Sequence, residues 1–103
     1  MIAELREKIV GGQFEFSKHA VDQMLARRIS VAELRAVFVG AEIIETYPQD
    51  KYGPSCLLFG TTDDGRAFHV QCSHPGRPLV KIITTYEPEP GLWIDFRIRR
   101  HQS

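Results

Sequence analysis

Apolar residues follow a helical spacing in the first half of the chain and a strand spacing in the second. The first half predicts three helices. They cover residues 1–10, residues 17 to about 28 with a cap at Ser17, and residues 30–40, where a glycine ends the third helix. Ser30 and Glu33 form a capping box at the start of the third helix. Between the first two helices, Phe14–Phe16 alternates as a short strand does. The predicted buried face of the second helix is Ala20, Val21, Met24 and Leu25.

The second half predicts a four-stranded antiparallel β-meander. Its strand candidates are Ala41–Tyr47, Ser55–Thr61, Arg66–Ser73 and Leu79–Tyr86. Strands joined by turns this short must be antiparallel, and Gly65 suits the left-handed position of a three-residue hairpin loop. Residues 92–100 fit either a final helical turn or an extended tail. The expected fold class is α+β, with N-terminal helices packed on a four-stranded antiparallel sheet, in a single domain of residues 1–103.

Alternation separates two faces of the third strand of this meander. Phe68, Val70 and Cys72 share the core face, whereas His69 and Gln71 point the other way.

The turn over residues 74–78 predicts that Ser73 pairs with Leu79, which places His69 opposite Ile83. In that register His69, Lys81 and Thr85 share one patch, and a slip by one residue would scatter it. The patch is either a shallow polar site or only the wet face of an antiparallel sheet.

Histidine is the side chain best suited to proton transfer near neutral pH, and a lysine beside it can stabilise charge at a phosphate. His69 is therefore the first catalytic candidate. His19, in the first turn of the second helix, is either an acid or base at the helix N-terminus or an imidazole packed on Phe16. A metal site built from His69, Cys72 and His74 is not expected, because His69 faces away from the other two.

Cys56 and Cys72 lie on adjacent predicted strands. A closing pair of Thr62 and Arg66 puts them directly opposite each other. We interpret them as two small buried hydrophobic side chains, reduced in a cytoplasmic protein.

Arginines and aromatic residues could contact phosphates and stack on bases. Each arginine is also explained as a solvated surface charge, and Tyr86 and Trp93 also as a cover over the open end of the core. The arginines are Arg27, Arg28, Arg66, Arg77 and the cluster 97–100, which continues into His101. The aromatic residues are Tyr47, Tyr52, Tyr86 and Trp93.

Composition narrows the classes of function. A chain of 103 residues with 43% hydrophobic and 25% charged residues is typical of a folded domain. Thirteen basic and 13 acidic side chains give a net charge of zero, which argues against nucleic-acid binding by bulk charge but leaves a local basic patch open. The chain has no apolar run long enough to span a membrane, so we expect a cytoplasmic protein without membrane contact.

Two blocks of sequence resemble a known family. The first is Phe16-Ser17-Lys18-His19-Ala20, then Met24, the corner Arg27-Arg28-Ile29-Ser30, and Glu33. The second is Gly60, Gly65-Arg66, Phe68-His69-Val70, Ile82–Tyr86, and a tail that includes Trp93 and Asp95-Phe96. In this order and spacing, roughly residues 14–100 resemble the family of the domain of unknown function 4258. Arg28 stands where glycine is common in that family.

The resemblance implies a compact RelE-like α+β domain with the order β-α-α-β-β-β-β, after an N-terminal helix over residues 1–12. RelE-like and BrnT-like toxins are small ribonucleases of bacterial toxin–antitoxin pairs that cut RNA without a metal. They work from a sheet face with basic and histidine or tyrosine side chains. The positions of this chain that match are His19, Arg27, His69 and Tyr86, with Thr85 alongside.

We therefore expect a metal-independent endoribonuclease of a type II toxin–antitoxin pair, with RNA as substrate, an antitoxin protein as partner and no cofactor. The candidate catalytic residues are His19, His69 and Tyr86. The candidate substrate-binding residues are Arg27, Arg28, Arg66, Lys81 and Thr85. The alternative is a non-catalytic protein-binding or RNA-binding module that uses the same face, and a third hypothesis is a structural subunit without a site.

Overall fold

The structure, a computed structural model, describes residues 1–51 and 53–100 and shows an α+β fold with a mixed five-stranded sheet. The helices are α1 (Ile2–Val10), α2 (Lys18–Arg27) and α3 (Val31–Val39). The main sheet contains β1 (Phe14–Phe16), β2 (Glu42–Tyr47), β3 (Ser55–Thr61), β4 (Ala67–Ser73) and β5 (Val80–Tyr86). A separate hairpin pairs β6 (Trp93–Ile94) with β7 (Ile98–Arg99). Tyr52 and His101, named above, lie outside the described residues.

The helix starts are those that the sequence predicts. Ser17 Oγ accepts a hydrogen bond from the Ala20 N–H, and Ser30 and Glu33 form the reciprocal bonds of a capping box. Such caps each contribute about 1 kcal/mol by satisfying N–H groups that the helix cannot pair internally.

The predicted apolar face of α2 is only half buried. Ala20 and Met24 enter the core, but Val21 and Leu25 are 41% and 76% exposed. The prediction for Val21 and Leu25 is wrong because α2 packs mainly against β5, so that only a narrow stripe of its surface is covered.

The predicted four-stranded antiparallel sheet is wrong by one strand. The strand order is β1-β5-β4-β3-β2, with β1 parallel to β5 and every other adjacent pair antiparallel. The last strand of a meander leaves a row of unpaired N–H and C=O groups at its edge. Phe14–Phe16 pairs with Val80–Ile82 and satisfies the first half of that edge.

The predicted register of the last two strands is also wrong. His69 lies opposite Tyr86 and Gln71 opposite Thr84, but Cys72 lies opposite Ile82. Ile83 is therefore an extra residue, a β-bulge, and it reverses the alternation in the second half of β5.

A two-residue shift of the pairing and the bulge together separate the three residues that the sequence placed in one patch. Thr85 pairs with Val70 and is fully buried on the core side. Lys81 lies five residues before Tyr86, about 16 Å along a strand. His69 therefore shares its side of the sheet with Tyr86, and neither Lys81 nor Thr85 lies beside it.

The two faces of the sheet are covered by different parts of the chain. The helices and one face enclose the main core, which includes Phe38, Phe68 and Ile82. At Gly60 the carbonyl of Val37 on α3 comes so close that a Cβ atom would lie 2.6 Å from it. The β6–β7 hairpin covers the opposite face.

Cys56 and Cys72 are directly opposite, as the register of β3 and β4 predicts. Both are fully buried and free, with their Sγ atoms 4.0 Å apart. The interpretation as two buried side chains is confirmed by their burial.

In the described part of the chain, none of the helices has the length and apolar character needed to cross a membrane.

Candidate active site

His69 lies beneath the C-terminal hairpin and is fully buried. The Trp93 ring stands edge-on to it, with ring centroids 4.4 Å apart, and Phe59 contacts it from β3. Phe96, at the tip of the hairpin, stacks on Phe59 at 5.6 Å. The interpretation of this region as a wet sheet face is therefore wrong for His69, because the tail folds back and removes the imidazole from water.

Both ring nitrogens of His69 have a hydrogen-bond partner. Nε2 lies 2.6 Å from the backbone carbonyl oxygen of Phe96, and Nδ1 lies 3.1 Å from the Tyr86 hydroxyl. A carbonyl oxygen can only accept, so Nε2 carries the proton. In the neutral ring Nδ1 is then an acceptor, and the Tyr86 hydroxyl donates to it. The hairpin therefore fixes one tautomer and aims a basic nitrogen at Tyr86.

Burial shifts the proton affinity of both partners. It lowers the pKa of His69, against the opposing effect of the hydrogen bond to the Phe96 carbonyl. It raises the pKa of Tyr86, which the nearby Arg99 guanidinium moderates. The pair is thus a neutral imidazole and a neutral phenol at pH 7.

Tyr86 opens into a cleft between the end of α2 and the C-terminal hairpin. The cleft has a volume of about 650 Å³. It is lined by Arg27, Tyr86, Glu87, Glu89, Leu92, Trp93, Arg99 and Arg100. The half-buried phenol therefore has one side on the buried His69 and the other on an open, charged surface.

The charges of this cleft are partly neutralised. Arg99 forms an ion pair with Glu45 at 2.9 Å, and Glu87 forms one with Arg66 at 2.7 Å. Within residues 1–51 and 53–100, Arg27 and Arg100 make no ion pair. Their guanidinium Nε atoms bond the Gln23 side chain and the Pro90 carbonyl, which leaves the remaining N–H groups of both available to an anion.

The structure brings three of the predicted site residues together and disperses the rest. Arg27, Tyr86 and, behind it, His69 belong to the cleft. His19 and Lys81 line a second cavity at the other end of α2.

Of the remaining candidates, two hold the fold together and one is exposed. Arg66 bridges Glu33 and Glu87 and covers the Phe68 ring at 4.8 Å. Thr85 donates to the His69 carbonyl at 2.9 Å. Arg28 is exposed and ends α2 in a left-handed conformation with φ 55°.

Sequence reasoning missed the part that the hairpin plays in this cleft. The sequence indicates Arg99 and Arg100 only as members of a basic cluster. It contains no signal that places the Phe96 carbonyl on His69. The turn has positive φ at Asp95 and Phe96, where glycine or asparagine is the usual signal. Within the described residues, no group of three or more histidine, cysteine or acidic side chains could hold a metal ion.

The family model for a domain of unknown function (DUF4258) matches residues 16–87. The chain belongs to the DUF4258 family. The matched segment includes His69 and Tyr86 but stops before the hairpin that covers them. None of the curated proteins matches the chain, and none of the solved structures does.

Proposed function

We propose that this DUF4258 protein is an endoribonuclease of the toxin type, acting in the cytoplasm without a metal and held by an antitoxin protein. The observation that carries the proposal is the Tyr86 hydroxyl, bonded to a buried imidazole of fixed tautomer and exposed to a cleft with two unpaired arginines. The RelE-like and BrnT-like resemblance of the sequence supports the same class of reaction.

The reaction is attack by a ribose 2′-hydroxyl on the adjacent phosphate. The 2′-hydroxyl gives its proton to the Tyr86 oxygen while the Tyr86 proton passes to Nδ1 of His69. A bond forms between O2′ and phosphorus, and the bond from phosphorus to O5′ breaks. Water protonates the leaving 5′-oxygen, so the products are a 2′,3′-cyclic phosphate and a 5′-hydroxyl.

Arg27 and Arg100 are the groups that stabilise the added charge. Their free N–H groups can donate to the non-bridging oxygens, whose charge grows in the transition state. A planar guanidinium matches phosphate geometry, and its hydrogen bonds to an anion are stronger than neutral ones. Arg99 is held by Glu45 and serves the site by positioning the hairpin.

The partner surface that we propose for the antitoxin is the outer side of α2. Val21 and Leu25, one turn apart, leave apolar surface exposed on this helix. A small DNA-binding or zinc-finger-type protein in the neighbouring reading frame would support the toxin assignment, and relief of growth arrest by that protein would test it.

A non-catalytic RNA-binding or protein-binding module is the second candidate. Glu87 and Glu89 line the same cleft as the arginines. Because acidic side chains weaken the binding of a polyanion, this observation favours the protein-binding form of the second candidate.

Incubation of the purified protein with a long RNA in EDTA separates the two functions. The endoribonuclease gives fragments with 2′,3′-cyclic phosphate ends and arrests growth on expression. RNA that is bound and left intact, in cells that grow normally, would contradict the proposed activity and favour the binding module.

A further inference from the structure

A second cavity, at the opposite end of α2 from the Tyr86 cleft, gathers cationic and hydroxyl side chains from three parts of the chain. It has a volume of about 290 Å³. Its polar lining residues are Ser17, His19, Ser73, Arg77 and Lys81. Among the described residues, none that lines it is acidic, in contrast to the Tyr86 cleft with Glu87 and Glu89. We call it the His19 cavity.

The walls of the His19 cavity are held in place by hydrogen bonds. Ser17 Oγ donates to the carbonyl of Ile83, the bulge residue, at 2.7 Å. The Lys81 N–H donates to Ser73 Oγ at 2.9 Å. The backbone carbonyl of Arg77 accepts from Lys8 Nζ at 2.7 Å. The backbone around the cavity is therefore held in place in the folded protein.

The Ser17 hydroxyl is already used by the fold, but the nitrogen-bearing side chains of the His19 cavity are largely without strong partners. Within the described residues the His19 ring and the Arg77 guanidinium have no hydrogen-bond partner. Lys81 Nζ lies 3.4 Å from Glu15 Oε1, in an exposed pair that contributes little. The first N–H groups of α2 also lack partners within the helix and favour an anion. These donors fit a phosphate, because hydrogen bonds from charged groups to an anion are strong.

We propose that the His19 cavity binds a second backbone phosphate of the RNA strand whose scissile phosphate lies in the Tyr86 cleft, an inference that rests on the proposed function. Three residues of β5 separate Ile83 from Tyr86, about 10 Å at the rise of a strand. Eight residues of α2 separate His19 from Arg27, about 12 Å at the rise of a helix. A strand laid along α2 and β5 reaches both sites, and a phosphate contact sets its register without reading sequence.

Titration with inorganic phosphate, followed by the amide chemical shifts of the folded protein, tests the cavity without RNA. We expect saturable shifts at the amides of residues 17–20, 76, 77 and 81. Arg77→Gln and Lys81→Gln each weaken this binding about tenfold, as expected for loss of a charge-assisted hydrogen bond. Glu15→Gln strengthens it, because Lys81 is released from its competing carboxylate. Lys18→Gln, which removes an equal charge outside the lining, leaves the shifts unchanged.

The RNA arm measures binding and cleavage of a single-stranded oligoribonucleotide at several salt concentrations. Lys81→Gln should raise KM, leave kcat nearly unchanged, and reduce the log–log salt slope by about 0.7, the value for one phosphate contact on a single strand. If the wild type cleaves RNA and Lys81→Gln has the same KM and the same salt slope as the wild type, the inference is overturned and the proposed function stands.

Phosphate binding without any RNA binding would also overturn the inference, since the ligand would then be a free phosphate compound. RNA that is bound through this cavity but never cleaved would support the subsite and contradict the endoribonuclease. The three results are distinguishable in one set of variants.

Discussion

At the scale of single residues, the chemistry of His69 is set by its neighbours. Alternation along β4 predicts that it faces away from the main core, and this is confirmed, since it lies on the hairpin side. Its partners could not be predicted from the same alternation. Tyr86 reaches Nδ1 only because Ile83 is an extra residue in β5, and the Phe96 carbonyl reaches Nε2 only because the tail folds back. Both depend on contacts distant in sequence.

The burial of His69 predicts that the folded protein loses stability in mild acid. Its pKa is lowered on folding, so below the unfolded value of about 6.5 the unfolded chain binds more protons than the folded one. The stabilisation is complete above that pH and is lost as the pH falls towards the lower folded pKa. Urea unfolding at pH 7.5 and 5.5 measures the loss.

Two histidine variants separate this effect from general acid sensitivity. His69→Gln keeps an amide that can bond the same partners but does not titrate, so the loss between pH 7.5 and 5.5 should shrink. His19→Gln, at an exposed site, should keep the full loss. An equal loss in His69→Gln and the wild type would show that burial of His69 does not cause it.

The left-handed conformation of Arg28 predicts that glycine at this position stabilises the protein. It ends α2 with φ 55°, a conformation that costs a residue with a Cβ atom about 1 kcal/mol and costs glycine almost nothing. Arg28→Gly should therefore raise the free energy of unfolding by about 0.5–1 kcal/mol in urea. Ala26→Gly, at an exposed position inside the same helix, should lower it by about 1 kcal/mol. A loss of stability in both variants would refute the role assigned to the left-handed cap.

At the scale of elements, the three helices and the five strands of the main sheet could be placed to within a residue or two, whereas the two strands of the tail could not. Caps at Ser17 and Ser30 and the alternation of β3 and β4 are local signals, and local backbone preferences decide them. The pairing of elements was harder to predict. The parallel pairing of β1 with β5 joins residues more than 60 positions apart, and no local pattern specifies it.

The contact of α3 with β3 predicts a position where even one methyl group is too large. A Cβ at Gly60 would lie 2.6 Å from the Val37 carbonyl oxygen and 2.7 Å from Val37 Cγ1. Gly60→Ala should push the helix off the sheet and lower the free energy of unfolding by about 1–3 kcal/mol, measured in urea. Gly76→Ala adds the same methyl group where no atom lies within 4 Å, and should change stability little. Equal effects of the two variants would contradict the close packing.

The β6–β7 hairpin shows what the sequence could not tell about the tail. Asp95 and Phe96 both have positive φ, which is rare for such side chains and is tolerated where surrounding contacts impose it. Those contacts are the stacking of Phe96 on Phe59 and the ion pairs of Arg97 with Glu42 and Arg99 with Glu45. The hairpin is thus held by its docking on the sheet, and it lies beyond residues 16–87, which the family model matches.

At the scale of the whole molecule, charge is unevenly placed although the net charge is zero. The Tyr86 cleft and the His19 cavity lie at opposite ends of α2 and hold cations that are free of strong ion pairs. The sequence predicted most of these residues but placed them in one patch. A shift of the pairing separates Lys81 from His69, and the bulge at Ile83 turns Thr85 into the core, both of which are consequences of tertiary pairing.

The central claim is that the Tyr86 hydroxyl transfers the proton of the attacking ribose to His69. The most direct test is the single-turnover rate of RNA cleavage in EDTA for the wild type and Tyr86→Phe, prepared in parallel. Removal of this hydroxyl should lower the rate about 10²–10⁴-fold. It should lower the free energy of unfolding by about 1–3 kcal/mol, because it leaves Nδ1 of the buried His69 without a partner, and the protein should stay folded. Tyr47→Phe, which removes a hydroxyl outside the cleft lining, should stay close to the wild-type rate. Cleavage by Tyr86→Phe at the wild-type rate would contradict the account.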